Sequence, residues 1–280
     1  MKSALIATLS ALLFATSMFA LGPNVADYHV VLVPVFHFGA GAFGSQWTTQ
    51  VSIASTSDHV DMAMALFDDS PNCTSLDSTI SSTEVRSICK GFASSSGSGV
   101  LLYVPKSLEL AELSFNARAR DLSRQASSAG TEISVVTESH FRNREFLLLD
   151  IPSDTRFRAN LRVYGATESF APGSLYIHPG GESSGSLEIY DSRDLVAPLV
   201  STRINLSAPE AIAGSPFLLH PAFVSIGDLV ATFPQLANVP KYTIRITPYQ
   251  TIADPPREWS MWAFVSITNN ETQEVTTVSP

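Results

Sequence analysis

The residues most suggestive of chemistry are Gly181–Gly185, whose sequence GESSG matches the GxSxG turn of serine hydrolases. In that turn a strand precedes the serine and a helix follows it, so the hydroxyl stands exposed at a sharp bend. Here residues 186–190 (SLEIY) alternate apolar and polar side chains, which predicts a strand. Chain order alone allows a triad of Ser183, either Asp191 or Asp194, and His220. We predict a hairpin and assign no catalytic residue. The alternative is a secreted hydrolase or carbohydrate-active protein with Ser183 or a carboxylate pair as the reactive group.

A second motif, Gly39–Gly44 (GAGAFG), matches the GxGxxG fingerprint of dinucleotide-binding sites. That fingerprint opens a helix whose N-terminus binds the pyrophosphate. The residues that follow, 45–55 (SQWTTQVSIAS), alternate with period two and are rich in β-branched side chains. This pattern predicts a strand in place of the helix. We therefore expect a glycine-rich connector between strands and no cofactor.

The chain has two cysteines, Cys73 and Cys89, within a segment rich in serine and threonine. In an oxidising compartment such a pair is expected to form one disulfide. The loop-entropy model gives a bridge of this span roughly 3 kcal/mol of stabilisation. A metal-binding or redox pair is the alternative, but it lacks CxxC spacing and neighbouring histidines.

Acidic residues cluster at two predicted turns, Asp68–Asp69 and Asp191–Asp194. Loop carboxylates can bind Ca²⁺, and aspartates also cap turns by accepting backbone N–H groups. The spacing matches no known calcium loop, and the six histidines are not paired on one face. We predict turn capping and no metal site.

The three tryptophans could stack against sugars or fill apolar cores. Trp47 and Trp262 lie in predicted strands, so we predict them to be core anchors, with Phe157 as the equivalent of Trp47. Trp259 follows the polar segment 254–258 (DPPRE) and is the exposed candidate.

The first residues predict export. Lys2 precedes a mostly apolar run, Ala4–Phe14, and small residues follow, so residues 1–20 are expected to be a signal peptide. The net charge of −9 argues against nucleic acid and anionic lipid as partners. We expect a secreted or extracytoplasmic protein without membrane insertion after cleavage.

Short alternating segments recur in the same order in both halves, which predicts an all-β protein of two tandem β-sandwich domains, Ig-like or jelly-roll-like, with short helical turns. The domains are predicted at residues 21–140 and 141–280. One jelly roll spanning the whole chain is the alternative. A short helix is expected near Ser82–Cys89. The matched segments are Val30–Val35 with Phe146–Ile151, Trp47–Ala54 with Phe157–Tyr164, Met64–Asp68 with Leu187–Asp191, Ser98–Tyr103 with Gly214–Leu219, and Ser114–Ala119 with Tyr242–Thr247.

Three stretches of the chain carry a resemblance: GAFGSQWTTQVSIAS (41–55), TRFRANLRVYG (155–165) and WAFVSITNNETQEV (262–275). Together they resemble exported bacterial proteins of uncharacterised activity. Those proteins have two related β-rich units, a GSxWxT strand, an RxNL strand and a terminal NxT hairpin. The resemblance implies fold and export and assigns no catalytic role.

These patterns together favour an exported, non-enzymatic module that binds an unknown protein or glycan or has a structural role. Pairing of edge strands between chains is a further hypothesis.

Overall fold

A computed structural model describes residues 28–35, 38–40, 44–56, 60–64, 77–80, 85–87, 99–106, 110–123, 130–168, 175–176, 183–206, 222–249 and 259–280. Within these ranges the chain is mainly β-strand with a few short helical turns, which confirms the all-β prediction. The predicted signal peptide, Cys73 and Cys89 lie outside the described residues.

The first half contributes ten strands in the described ranges. They are β1 (Tyr28–Val33), β2 (Phe38–Ala40), β3 (Gln46–Ser55), β4 (Val60–Met64), β5 (Asp77–Ile80), β6 (Val85–Ser87), β7 (Val100–Pro105), β8 (Leu113–Asp121), β9 (Thr131–Ile133) and β10 (Val136–Thr137). One antiparallel sheet has the order β10-β1-β7-β4-β5. The other has the order β2-β3-β8-β9, with β6 also paired to β3. Single 3₁₀ turns cover Leu110–Glu112 and Glu138–His140.

The second half contributes nine described strands. They are β11 (Phe146–Pro152), β12 (Phe157–Glu168), β13 (Leu175–Tyr176), β14 (Ser183–Asp191), β15 (Val200–Leu206), β16 (Ala222–Ile226), β17 (Lys241–Pro248), β18 (Trp259–Asn269) and β19 (Val275–Val278). Their sheets have the orders β11-β17-β14-β15 and β13-β12-β18-β19, with β16 also paired to β12. A short helix, α1 (Leu229–Thr232), and a 3₁₀ turn, Pro234–Asn238, precede β17.

The same connectivity occurs in both halves. The order β1-β7-β4-β5 beside β6-β3-β8-β9 is repeated as β11-β17-β14-β15 beside β16-β12-β18-β19. This repeated order is observed in the backbone hydrogen bonds, so it is independent of the residue matches from which the duplication was predicted. The described residues form four sheets, whereas a single jelly roll has two. The predicted boundary after residue 140 falls between β10 and β11.

Two details of the sequence prediction are wrong. Tyr242–Thr247 lies in β17, which pairs with β11 and β14 as β7 pairs with β1 and β4. Its equivalent is therefore β7, whereas the sequence matched it to Ser114–Ala119 in β8. Short alternating strands resemble one another, so the longer chain before β16 displaced the match by one strand. The other error is the helix near Ser82–Cys89, where β6 pairs with β3 instead.

The second half has one apolar core between its two sheets. On β12, Ala159, Leu161 and Val163 are buried in this core, whereas Arg158 and Arg162 point to the opposite face because side chains alternate along a strand. Burying a leucine or valine side chain such as Leu161 or Val163 contributes about 1.5–3 kcal/mol. The other strands contribute Leu148, Ile151, Leu187, Ile189, Ile204, Leu206, Ile244, Ile246, Met261 and Val265.

Candidate functional site

A cavity of about 300 Å³ lies where the two halves meet. One wall is the sheet of β3, β8 and β9, and the other is the outward face of the sheet of β12, β18 and β19. The lining residues are Val35, Trp47, Thr49, Ala119, Thr131, Ile133, Arg158, Asn160, Arg162, Phe264, Ser266, Thr268, Val275 and Thr277.

The second-half wall is a ladder of mostly polar side chains. Arg158, Asn160 and Arg162 occupy alternate positions on the outward face of β12, directly opposite Thr268, Ser266 and Phe264 of β18. The alternation of β12 therefore does two things at once: one face fills the core and the other lines the cavity.

The first-half wall is formed by the end of a buried sheet face. Trp47 and Thr49 share their face of β3 with Val51 and Ile53, which are fully buried. Thr49 is also buried, whereas Trp47 is half-buried. On the other side of the cavity Thr277 is exposed. Solvent therefore reaches the cavity near these two residues.

Hydrogen bonds orient two side chains of the ladder. The amide oxygen of Asn160 accepts the N–H of Asp228, at 2.8 Å, from the turn before α1. Arg162 donates from Nη1 to the carbonyl oxygen of Pro34, at 3.4 Å. The first contact ties the ladder to its own half, and the second ties it to the chain after β1.

An aromatic row of the second half lies beside the cavity, and its Tyr164 contacts the first half. The rings of Phe223, Tyr164, Trp262 and Phe264 follow one another with centroid separations of 6.0, 6.0 and 5.5 Å. The Tyr164 hydroxyl donates to the carbonyl oxygen of Pro34. Burial raises the pKa of Tyr164 above its usual range, so the phenol remains a donor. Thr131 adds a hydrogen bond to the carbonyl oxygen of Val275, at 2.9 Å.

The three predicted core anchors have different surroundings. Phe157 is partly buried and packs against the second-half core. Trp262 is 3% exposed, but it lies in the aromatic row between the halves. Trp47 lines the cavity. The predicted exposure of Trp259 is wrong: it begins β18, opposite Thr167, and is 5% exposed. The polar segment before it masked the start of the strand.

The GxSxG serine does not have the geometry of a hydrolase nucleophile. Ser183 is the first residue of β14, so the strand predicted after the motif is present, and the residue is only 2% exposed. The predicted hairpin is wrong, because β13 pairs with β12 in one sheet whereas β14 pairs with β15 and β17 in another. Among the described residues its Oγ has no hydrogen-bond partner. Asp191 is engaged by Arg193, with Oδ2 and Nη2 2.6 Å apart, and this contact lowers the pKa of Asp191 to about 2. His220 lies outside the described residues.

The acidic turn that the structure describes is capped as predicted. Asp191 Oδ1 accepts the N–H of Arg193 at 2.9 Å, and Asp194 Oδ1 accepts the N–H of Val196 at 3.0 Å. Within the described ranges no group of three or more His, Cys, Asp or Glu side chains is placed to hold a metal ion. Asp68–Asp69 lies outside those ranges. None of the described helices has the length and hydropathy that a membrane span requires.

Sequence reasoning missed the arginines and the asparagine of the ladder. Their signal was present in FRANLRVY (157–164), where basic and amide side chains alternate with apolar ones. Alternation places such residues on the face opposite the core. It does not say that a second unit covers that face, so the cavity could not be predicted.

Comparison with known proteins adds little to this description. No protein-family profile matches the chain, and no curated protein matches it by sequence. A solved structure of infectious bursal disease virus, Gx strain, aligns over 90% of this chain and 60% of that chain, with 9% identity and a TM-score of 0.22. A TM-score this low does not establish a shared fold.

Proposed function

We propose that this protein is an exported, non-enzymatic binding module of two β-sandwich units, residues 21–140 and 141–280, and that its ligand occupies the cavity between them. The cavity supports this proposal because an aromatic side chain, Trp47, faces a polar wall containing Arg158 and Asn160. Its volume of about 300 Å³ is at the lower end of the roughly 300–1,000 Å³ of small-molecule sites.

The size of the cavity favours a glycan over a protein as the ligand. A stable protein partner buries about 800 Å² on each side, which needs an open surface. A partly open space of this volume between two sheets instead suits a small group with both an apolar face and hydroxyls. The burial of Ser183 supports binding over the alternative of serine-based hydrolysis.

We propose export from the sequence pattern of residues 1–20. Because an exported protein reaches an oxidising compartment, we also propose a disulfide between Cys73 and Cys89. The measurement is a thiol titration of the purified mature protein under native conditions without reductant. We expect no free thiol before reduction and two afterwards. Two reactive thiols without reductant would refute the bridge.

Binding is tested by NMR of the three tryptophan indole N–H signals, with the Trp47→Phe variant identifying the Trp47 signal. Neutral and acidic mono- and disaccharides are added one at a time. A ligand in the cavity shifts the Trp47 signal and leaves that of Trp259, at the far end of β18, in place. If no saccharide moves the Trp47 signal selectively, the proposed function is wrong.

A further inference from the structure

We propose that the ligand of this cavity is an anionic saccharide whose carboxylate or sulfate group is bound by Arg158. This inference rests on the binding function proposed above and adds the chemical class of the ligand.

The charged side chains that line the cavity are cationic, in contrast to the chain as a whole. The chain as a whole carries −9, yet two arginines, Arg158 and Arg162, line the cavity. Among the described residues that line it there is no aspartate or glutamate. A guanidinium presents N–H donors in a fixed fork that matches a carboxylate or sulfate. The local field therefore favours an anion over a neutral or cationic ligand.

The two arginines of the ladder lie at different positions along β12. Arg158 and Arg162 are on the same face of β12, and four residues of strand separate their backbones by about 13 Å. Arg162 is directed to the Pro34 carbonyl, where it helps to join the halves. Arg158 lies toward the start of β12, opposite Thr268, and is half-buried. We assign the anionic group of the ligand to Arg158 because it lies at the end of the ladder away from the Pro34 contact.

The rest of the cavity lining suits the apolar face and the hydroxyl groups of a saccharide. Trp47 offers an aromatic ring for the apolar face of a sugar. The hydroxyl side chains of Ser266 and Thr277 lie on neighbouring strands of the other wall. Hydroxyls donate and accept hydrogen bonds, which suits the hydroxyls of a saccharide. The volume admits a ligand of one or two rings.

The experiment compares glucuronate, glucose 6-sulfate and glucose as ligands, with the Trp47 indole shift as the readout. The variants are Arg158→Gln, Arg158→Lys and, as a control with the same change of charge, Arg203→Gln. Arg203 lies on β15, in a sheet that does not line the cavity. Melting curves establish that each variant is folded.

We expect glucuronate or glucose 6-sulfate to bind at least about tenfold more tightly than glucose, because a charged hydrogen bond is stronger than a neutral one. Arg158→Gln should remove this preference, Arg158→Lys should retain part of it, and Arg203→Gln should leave it intact. The acid that binds better identifies the anionic group.

Equal binding of glucose and the two acids would overturn the inference and leave the binding function standing. Retention of the acid preference in folded Arg158→Gln would also overturn it. A Trp47 signal that no sugar moves would instead overturn the binding function itself.

Discussion

Strands β3 and β12 occupy the same position in the two halves, and they differ in what their outward faces carry. When Trp47 is aligned with Phe157, the outward residues Thr48, Gln50 and Ser52 of β3 correspond to Arg158, Asn160 and Arg162 of β12. Inward, each strand begins with an aromatic side chain, Trp47 or Phe157, and continues with small or aliphatic ones. The two strands thus share the pattern of their inward faces, whereas the outward face is neutral on β3 and cationic on β12, where it meets the first half.

This difference shows which positions the fold constrains. An inward residue must match the core of its own unit, so its chemistry is preserved between the copies. The residue type at an outward position is constrained only by the surface that packs against it. On β12 that is the first half of the chain, and the cavity lies within this contact.

The largest expected effect comes from the inward face. Leu161→Ala removes a fully buried side chain from the second-half core and should lower the free energy of unfolding by about 2–5 kcal/mol. Val51→Ala, its counterpart on β3, should cost less by about 0.8 kcal/mol for the one methylene fewer that it removes. Urea denaturation measures both. If Val51→Ala lowers the free energy of unfolding more than Leu161→Ala does, the inward faces of β3 and β12 are not equivalent.

The next effect tests a position where the copies differ. Gly165 corresponds to Ser55 of β3, and a Cβ at Gly165 would lie 2.5 Å from Ser183 Oγ and 3.1 Å from Leu206. Gly165→Ala should therefore destabilise the protein by about 1–2 kcal/mol. In a Ser183→Ala background most of that cost should disappear, because the closest atom is gone. Equal costs in both backgrounds would show that Ser183 is not the obstacle.

A smaller effect concerns the contact between the halves. Tyr164→Phe removes the hydroxyl that donates to Pro34, while Arg162 still donates to the same carbonyl. The expected loss is about 0.5–1.5 kcal/mol of unfolding free energy. The double variant Tyr164→Phe/Arg162→Ala should lose more than the two single changes together, because the buried carbonyl then has neither donor. Strictly additive losses would mean that the two donors act independently.

The smallest expected effect is on the pH dependence of the free energy of unfolding, and it comes from Glu138 in the turn before the second half. Burial raises the pKa of Glu138 above its usual 4.5, and the Val30 N–H and His29 only partly oppose this shift. The stabilising contribution of Glu138 is therefore complete below pH 4.5 and is lost as the pH rises through its folded-state pKa. Glu138→Gln should be more stable relative to the native protein at pH 7 than at pH 4. Unfolding free energies at the two pH values measure this, and an unchanged difference contradicts it.

The sequence was sufficient for the features that depend on local alternation. Period two in WTTQVSI and FRANLRV placed β3 and β12, and a strand after Ser183 excluded the hydrolase turn. It was insufficient for the features that depend on distant segments. The pairing of β6 with β3 and the burial of Trp259 arise from contacts that no local window contains. The cavity belongs to this second class, because its two walls come from different halves.

The central claim is that the outward face of β12, unlike that of β3, makes the chain a receptor for an anionic saccharide. Its most direct test is calorimetric titration with glucuronate, glucose 6-sulfate and glucose. The native protein is compared with the double variant Arg158→Thr/Arg162→Ser, in which β12 carries the residues found at the corresponding positions of β3. The native protein should bind at least one of the two acids more tightly than glucose, and the folded double variant should not. A double variant that keeps the full preference would contradict it.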